Sequence, residues 1–371
     1  MKGDKKLALV SNTAWSVWNF RKGLIISLLN AGWQVDVIAP PGIFVEQIER
    51  LGCRFLPLQQ LAPKGKRAFQ DLLLVRELRN YFRQGNYRWI LSYTIKPNLY
   101  TGFALGKKGA RWLPTVNGLG VVFLQKNGLF RLAALLYRLS FRRAHRVVFQ
   151  NEDDRLFFEK NGMVAAAKTV QVAGSGIDLT AFQPLPGKQF ERAPVFLFAG
   201  RLIAEKGVRE YIDAARQLKS ACPAARCLIS GLPAENPRAL ARAALETHLE
   251  GSGVALLSPT DDMASLLDQV DCVVLPSYYG EGVPRILLEA LAKGLPVISS
   301  DMPGCRDTVE QGRNGWLVPA RDTEALFRAM FAFCQMSPQL RAELGREGRL
   351  KAESKFDEQL IIQKYLAILD S

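Results

Sequence analysis

The apolar positions of this chain recur at two spacings, and the two alternate along its length. Short apolar runs bounded by turn residues predict strands at 7–11, 35–39, 54–58, 89–93, 112–116, 146–150 and 169–172. Between them, apolar residues three and four apart predict helices, notably at 22–31, 69–82 and 129–143. Such alternation predicts the α/β class, with a parallel sheet covered on both faces. A stretch punctuated by Gly176, Pro184, Pro186 and Gly187 reads as a linker, after which the pattern restarts. The second set has strands at 195–199, 226–230, 254–257, 272–275, 296–300 and 316–318, with helices near 207–219, 237–247, 263–269, 284–293 and 322–334. The expected organisation is two doubly wound domains, 1–186 and 187–355, facing each other across a cleft. A last helix near 357–369, within 356–371, is free to cross back to the first domain. Ligands of such sheets bind at the carboxyl ends of the strands.

One of those strand ends carries unusual chemistry. The apolar run from Cys272 is followed by Tyr278-Tyr279-Gly280-Glu281-Gly282-Val283-Pro284-Arg285, then a short helix closed by Gly294 and Pro296. Pro284 suits the first helical position, and the N–H groups of a helix start favour an anion such as a phosphate. Within that helix Glu289 has apolar neighbours on nearly every side, so its carboxylate needs a partner. Arg285 stands four residues earlier. Arg before Glu is the weaker order and opposes the helix dipole, so ligand hydroxyls and phosphates account for the arrangement better than a simple ion pair. Arg201 and Lys206 follow the first strand of the same half. As a guanidinium fork and a point charge, they could hold a diphosphate.

Composition narrows the partners. The chain has 371 residues, 48% hydrophobic and 23% charged, enough for two ordinary cores. No apolar run approaches the roughly 18 residues that span a bilayer. The run from Leu7 to Val10 is too short for a signal-peptide core, so a cytoplasmic protein is expected. Six scattered cysteines without a C-x-x-C pair, and only two histidines, argue against a zinc site and for reduced thiols. Asp261-Asp262 reads as a helix N-cap rather than a metal pair, so no metal is expected. The charge is uneven: residues 1–187 hold 27 Lys and Arg against 11 Asp and Glu, whereas 188–371 hold 22 against 24. Residues 101–150 contain nine basic residues and no acidic one, which calls for an anionic partner: nucleic acid, acidic lipid or a phosphorylated substrate. The amphipathic stretch 128–146 has two readings. Either its apolar face packs on the sheet and its arginines are solvated, or its basic face rests on anionic lipid, reversibly by salt and without insertion.

The motifs also carry a resemblance. P-S-Y-Y-x-E-G-V-P-R-x-L-L-E-A, with Glu281 and Glu289 separated by seven residues, resembles the signature of retaining family 4 glycosyltransferases of the GT-B fold, two Rossmann-like domains across a cleft. The G-R-x-x-x-x-K-G element at 200–207 is similar to the family's donor-diphosphate motif, and 300–309 and 312–319 complete the C-terminal pattern. The resemblance implies a second domain that binds a nucleotide sugar and a first that binds the acceptor. Arg201, Lys206, Gly282, Val283, Pro284 and Arg285 would surround the departing diphosphate. Glu289 would accept from ribose hydroxyls, and Glu281 would orient the sugar. Gly231, together with 258–262, would lie near the base. In the first domain 93–100 and 115–123 are similar to a branch that builds bacterial surface glycans on lipid-linked acceptors, which makes Asn12, Lys96, Asn98, Asn117 and Gly118 the acceptor candidates. Asn117 stands where many members have His, so proton transfer there is not expected. The family's N-terminal glycine-rich loop is replaced by 11–16.

The implied activity is transfer of a hexose or N-acetylhexosamine from a nucleoside diphosphate, in the first instance UDP, with no cofactor besides this donor. The acceptor is a lipid-linked glycan for surface polysaccharide, O-antigen or capsule, met at the inner face of the cytoplasmic membrane. Two rivals stay open. A nucleotide-sugar epimerase of the same plan would want more titratable groups than two histidines supply. A basic nucleic-acid-binding protein would want an aromatic-interleaved basic ribbon, which is missing.

Overall fold

Every paired strand in the described residues runs parallel to its neighbours, and the strands form two separate sheets. The computed structural model describes the chain except residues 1–4, 62–67, 107–108, 121–122, 124–127, 191–192 and 232–241. Two compact units emerge, Met1–Gly176 with Glu358–Ser371, and Ile177–Asp357.

The first unit runs β1 (Lys6–Val10), α1 (Ala14–Asn30), β2 (Gln34–Ala39), α2 (Val45–Arg50), β3 (Arg54–Pro57), α3 (Ala68–Gly85), β4 (Trp89–Tyr93), α4 (Ile95–Ala104), β5 (Arg111–Val116), α5 (Gly128–Phe141), β6 (Val147–Phe149), α6 (Glu152–Lys160) and β7 (Thr169–Gln171). Its sheet has the order β3-β2-β1-β4-β5-β6-β7. The order reverses between β1 and β4, which is where such sheets open a ligand crevice at their carboxyl edge. Helix α1 begins eight residues before the expected start, because the Thr13 side chain accepts from Ser16 N and caps it there. Helix α4 was not foreseen: Pro97, Asn98, Leu99, Thr101, Gly102 and Ala104 are all buried, so it lacks the two-faced pattern that marks a surface helix.

The second unit runs β8 (Val195–Ala199), α7 (Val208–Ala221), β9 (Arg226–Ser230), α8 (Arg242–Leu249), β10 (Val254–Leu257), α9 (Met263–Asp268), β11 (Cys272–Leu275), α10 (Arg285–Ala292), β12 (Val297–Ser300), β13 (Gly315–Val318), α11 (Thr323–Gln335) and α12 (Pro338–Lys351). The strand order is β10-β9-β8-β11-β12-β13, with the reversal between β8 and β11. Part of the helix expected at 237–247 lies outside the described residues.

Two expected boundaries move. Ile177 N donates to Phe356 O at 2.8 Å, and Arg349 Nη1 donates to Phe182 O at 3.0 Å, so the linker residues from 177 belong to the second unit rather than the first. The last helix, α13 (Glu358–Asp370), belongs to the first unit and begins just after a π-helical turn, Ala352–Phe356. It joins α1 and α2 in covering one face of the first sheet, through Ile361, Ile362, Tyr365 and Leu369. Helices α3, α4 and α5 cover the other face. Trp89 Nε1 donates to Leu369 O at 3.0 Å, and Tyr365 shares a 2.7 Å hydrogen bond with Thr115. The first core is therefore closed by the last residues of the chain. Leu369→Ala will lower the unfolding free energy of the first unit by ~2–5 kcal/mol, the usual cost of an emptied core leucine, read as a shift of the urea midpoint.

Candidate active site

The candidate donor residues gather at the reversal point of the second sheet. Strand β8 ends at Ala199 and β11 at Leu275, side by side, so the loops that follow leave the same carboxyl edge. Lys206 Nζ bonds Glu281 Oε1, with the two side chains only 11% and 12% exposed. Ser277 Oγ reaches the same carboxylate oxygen at 3.1 Å and accepts from Tyr279 N at 3.2 Å. The Tyr279 ring lies under both cations, 5.2 Å from the Arg201 guanidinium and 5.9 Å from the Lys206 ammonium. Tyr278 N donates to Glu205 O at 2.9 Å, a direct backbone tie between the two loops. The loop after β12 closes the arrangement. A Cβ on Gly304, whose φ is 78°, would collide with the Gly282 carbonyl, so only glycine lets that loop press against Glu281 and Gly282. Likewise Gly231 faces the Gly200 carbonyl with no room for a side chain.

Sequence reasoning did not single out Ser277 or Tyr279. Both stand in the P-S-Y-Y run, where their alternation beyond a buried strand was the available signal. Nor did it place Lys206 on Glu281. An ammonium has three donors, so engaging the carboxylate leaves it able to serve a phosphate as well. Arg201 is exposed, and its reach is not committed to an acidic side chain.

Helix α10 starts one residue later than expected. Pro284 is its N-cap, and the first N–H groups lie outside the helical ladder, as at any helix start. Leu287, Leu288, Glu289, Ala290, Leu291 and Ala292 are buried, as the apolar pattern required. Arg285 Nε donates to Glu289 Oε1 at 2.8 Å, so the disfavoured i,i+4 pair is present. Burial outweighs that pair: desolvation raises the Glu289 carboxyl above its ordinary range, although Arg285 pulls the other way. Beneath the site, burial pushes the Cys305 thiol up to about 12, with the Glu281 charge adding to it, so it stays an inert neutral group. Asp262 caps α9 by accepting from Ser265 N at 3.0 Å, as foreseen. Ser258, Thr260 and Asp262 line a depression of about 280 Å³ beyond β10. Among the described residues no three His, Cys, Asp or Glu side chains converge as metal ligands.

The acceptor candidates sit at the carboxyl edge of the first sheet, with one exception. Asn12 is exposed after β1, and its Oδ1 accepts from Ser16 Oγ at 3.3 Å. Asn117 and Gly118 follow β5, and Asn117 Oδ1 accepts from Thr94 N at 3.2 Å. Lys96 lies 3.7 Å from Asp71. Asn98 is the exception: it is buried, accepting from Ser92 Oγ at 2.7 Å and donating to Thr115 O at 2.8 Å. It ties α4 to β4 and β5, and its amide is a core group. Thr94, within the 93–100 stretch, was not among the acceptor candidates. It holds φ 73° and ψ 166°, a conformation costly for a side chain, and its buried hydroxyl has no hydrogen-bond partner among the described residues. Strain and an unpaired hydroxyl thus coincide at the end of β4, beside the reversal point of the first sheet.

Glu289 supplies a test with a definite sign. Its folded-state titration lies above the unfolded one, so the folded state is penalised once pH rises past the unfolded carboxyl's range, and the penalty disappears at lower pH where the group is protonated in both states. Glu289→Gln will therefore raise the Tm of the ligand-free protein at pH 7. The advantage over the parent will shrink as pH falls toward the unfolded carboxyl's range, as thermal unfolding across a pH series will show.

The sequence and the fold have counterparts among known proteins. Residues 193–335 match the model "Glycosyl transferases group 1", and residues 19–174 match the model "Glycosyl transferase 4-like domain". A Campylobacter jejuni protein, N,N'-diacetylbacillosaminyl-diphospho-undecaprenol alpha-1,3-N-acetylgalactosaminyltransferase, is 27% identical over 98% of this chain and 98% of its own. The putative colanic acid biosynthesis glycosyltransferase WcaL of Escherichia coli is 32% identical over 54% of this chain and 51% of its own length. Among solved structures, sucrose-phosphate synthase from Thermosynechococcus elongatus has a TM-score of 0.82 at 21% identity over 98% of both chains. Anabaena Alr3699/HepE, in complex with UDP and glucose, has 0.80 at 19% over the whole of both. The epimerase and nucleic-acid alternatives find no counterpart in either matched model. Two parallel sheets, paired loops at the reversal of the second, and two matched models identify this chain as a GT-B glycosyltransferase of the group 1, family 4-like kind.

Proposed function

We propose that this glycosyltransferase moves a hexose or N-acetylhexosamine from UDP, with retention, to a lipid-linked glycan acceptor in surface polysaccharide synthesis. One observation carries the reading: Arg201 and Lys206 stand together on the Tyr279 ring at the reversal point of the second sheet. In the reaction the anomeric carbon exchanges its bond to a diphosphate oxygen for one to an acceptor hydroxyl. Negative charge grows on the leaving diphosphate, and cations held in place before the reaction stabilise it most. Arg201 offers a planar fork. Lys206, fixed on Glu281, offers its remaining donors, and the start of α10 adds backbone N–H groups. Glu281 is then positioned twice over, by Lys206 and Ser277, to hold a sugar hydroxyl. Glu289 accepts from the ribose, which recovers part of the cost of burying it. Retention follows if the acceptor attacks from the face of the leaving group, where a departing phosphate oxygen is the nearest base for the hydroxyl proton.

UDP is supported by the HepE complexes, and the lipid-linked acceptor by the diphospho-undecaprenol in the name of the Campylobacter relative. Such an acceptor places the enzyme at the inner face of the membrane, while no helix among the described residues is long and apolar enough to cross it.

Arg201→Ala and Lys206→Ala will each weaken UDP binding by about 1.5–3 kcal/mol, one to two decades in Kd by calorimetry, and turnover will fall at least as far. Binding and turnover equal to the parent in both variants would remove the diphosphate assignment. Because Arg201 and Lys206 supply the positive charge, turnover will persist in EDTA; a loss restored by Mg²⁺ or Mn²⁺ would contradict this metal-free chemistry.

A further inference from the structure

Helix α5 shows three stripes rather than two faces. Tyr137, Ser140 and Phe141 are buried against the first sheet, with Phe130 and Leu136 packed partly against the same core. Arg131 and Arg138, continued by Arg142 just past the helix end, form a second, exposed stripe at spacings of seven and four. Leu129, Leu132, Leu135 and Leu139 form the third, and they remain 58%, 53%, 51% and 41% exposed. Neither expectation for this helix anticipated them. Its inward apolar face does pack on the sheet, yet four leucines also point to solvent beside the arginines.

A row of exposed leucines along one helix needs a cover, and the flanking charge selects it. Two copies of this face meeting about a two-fold axis would set arginine stripe near arginine stripe. Residues 101–150 hold no acidic side chain to relieve that repulsion. An anionic bilayer satisfies both stripes at once, with acyl chains for the leucines and headgroup charge for the arginines. Helix α5 also starts beyond the carboxyl end of β5, the edge that carries Thr94, Asn117 and Gly118.

We propose that the outer face of α5 is the membrane-binding surface, inserting Leu129, Leu132, Leu135 and Leu139 shallowly into an anionic leaflet while Arg131, Arg138 and Arg142 engage its headgroups. Association is then hydrophobic as well as ionic, and salt alone does not reverse it. Its purpose rests on the lipid-linked acceptor reading, but its test does not.

The experiment is co-sedimentation of the full chain with phosphatidylglycerol-containing and pure phosphatidylcholine vesicles, at low and high salt. The parent is expected to sediment with the anionic vesicles and to keep a bound fraction at high salt. Replacing the four leucines by serine should lower the partition coefficient about a hundredfold at both salts. Arg131→Gln, Arg138→Gln and Arg142→Gln together should abolish the preference for anionic lipid. Leu132→Trp provides a reporter whose emission should shift to the blue on anionic vesicles. These positions are exposed, so Tm and donor turnover with a water-soluble acceptor analogue should match the parent in every variant. A failure of the transferase reading would instead appear as absent turnover in parent and variants alike. The proposal is overturned if the leucine variant binds vesicles like the parent. It is equally overturned if light scattering finds a parent dimer that the leucine variant dissolves.

Discussion

The bond between Lys206 and Glu281 is the interaction on which the arrangement of the second unit's candidate site depends. Taking an ammonium and a carboxylate largely out of water is expensive, and the pair is tolerable only because each neutralises the other and Ser277 supplies a further donor. The two residues lie 75 positions apart, so the pair can form only if β8 and β11 are neighbours with loops leaving the same edge. The doubly wound order of the sheet supplies this, and the crossed backbone bond from Tyr278 to Glu205 fixes it. A lysine tethered in this way is a defined point charge beside the Tyr279 ring rather than a mobile side chain.

Glu289 shows the opposite balance. It sits on a helix otherwise packed with leucine and alanine, its pair with Arg285 is in the weaker order, and burial still raises its carboxyl. A folding optimum would not place a carboxylate there. The arrangement costs stability in the ligand-free protein wherever the carboxylate is ionised, and the proposed contact with a ribose would give that cost a purpose. Thr94 in the first unit is a second case: a strained backbone and an orphaned hydroxyl at the end of β4. Each sheet therefore carries its local discomfort at its carboxyl edge, where sheets of this kind bind their ligands.

The first unit has a further division of labour across its sheet. One face is sealed by α1, α2 and α13, so its core is complete only when the chain has returned from the second unit. The other face carries α3, α4 and α5, and the outermost stripe of α5 is left apolar and basic. Asn98 serves that packing by bonding β4, α4 and β5 together from inside, which explains an asparagine in an otherwise apolar setting.

The sequence alone was enough for the strands, the α/β class and the restart of the pattern in a second sheet. Strand period and glycine and proline positions are local properties, and most strand bounds fall within one or two residues of the expected ones. Partnerships across the fold were not legible. Whether Arg285 or a ligand met Glu289, whether Lys206 and Glu281 touched, and whether Asn98 faced a ligand or the core all depended on side-chain reach in three dimensions. Helix α4 escaped notice because six of its ten residues are buried, which leaves too narrow a polar face to set its period. For α5 the sequence supplied leucines and arginines on one helix, but only packing on the sheet decided which apolar residues were used inside. Once Tyr137 and Phe141 had filled the core, no neighbour among the described residues was left to cover the leucines. Local propensity fixes where elements begin and end; which face each turns inward is settled by the space the other elements leave.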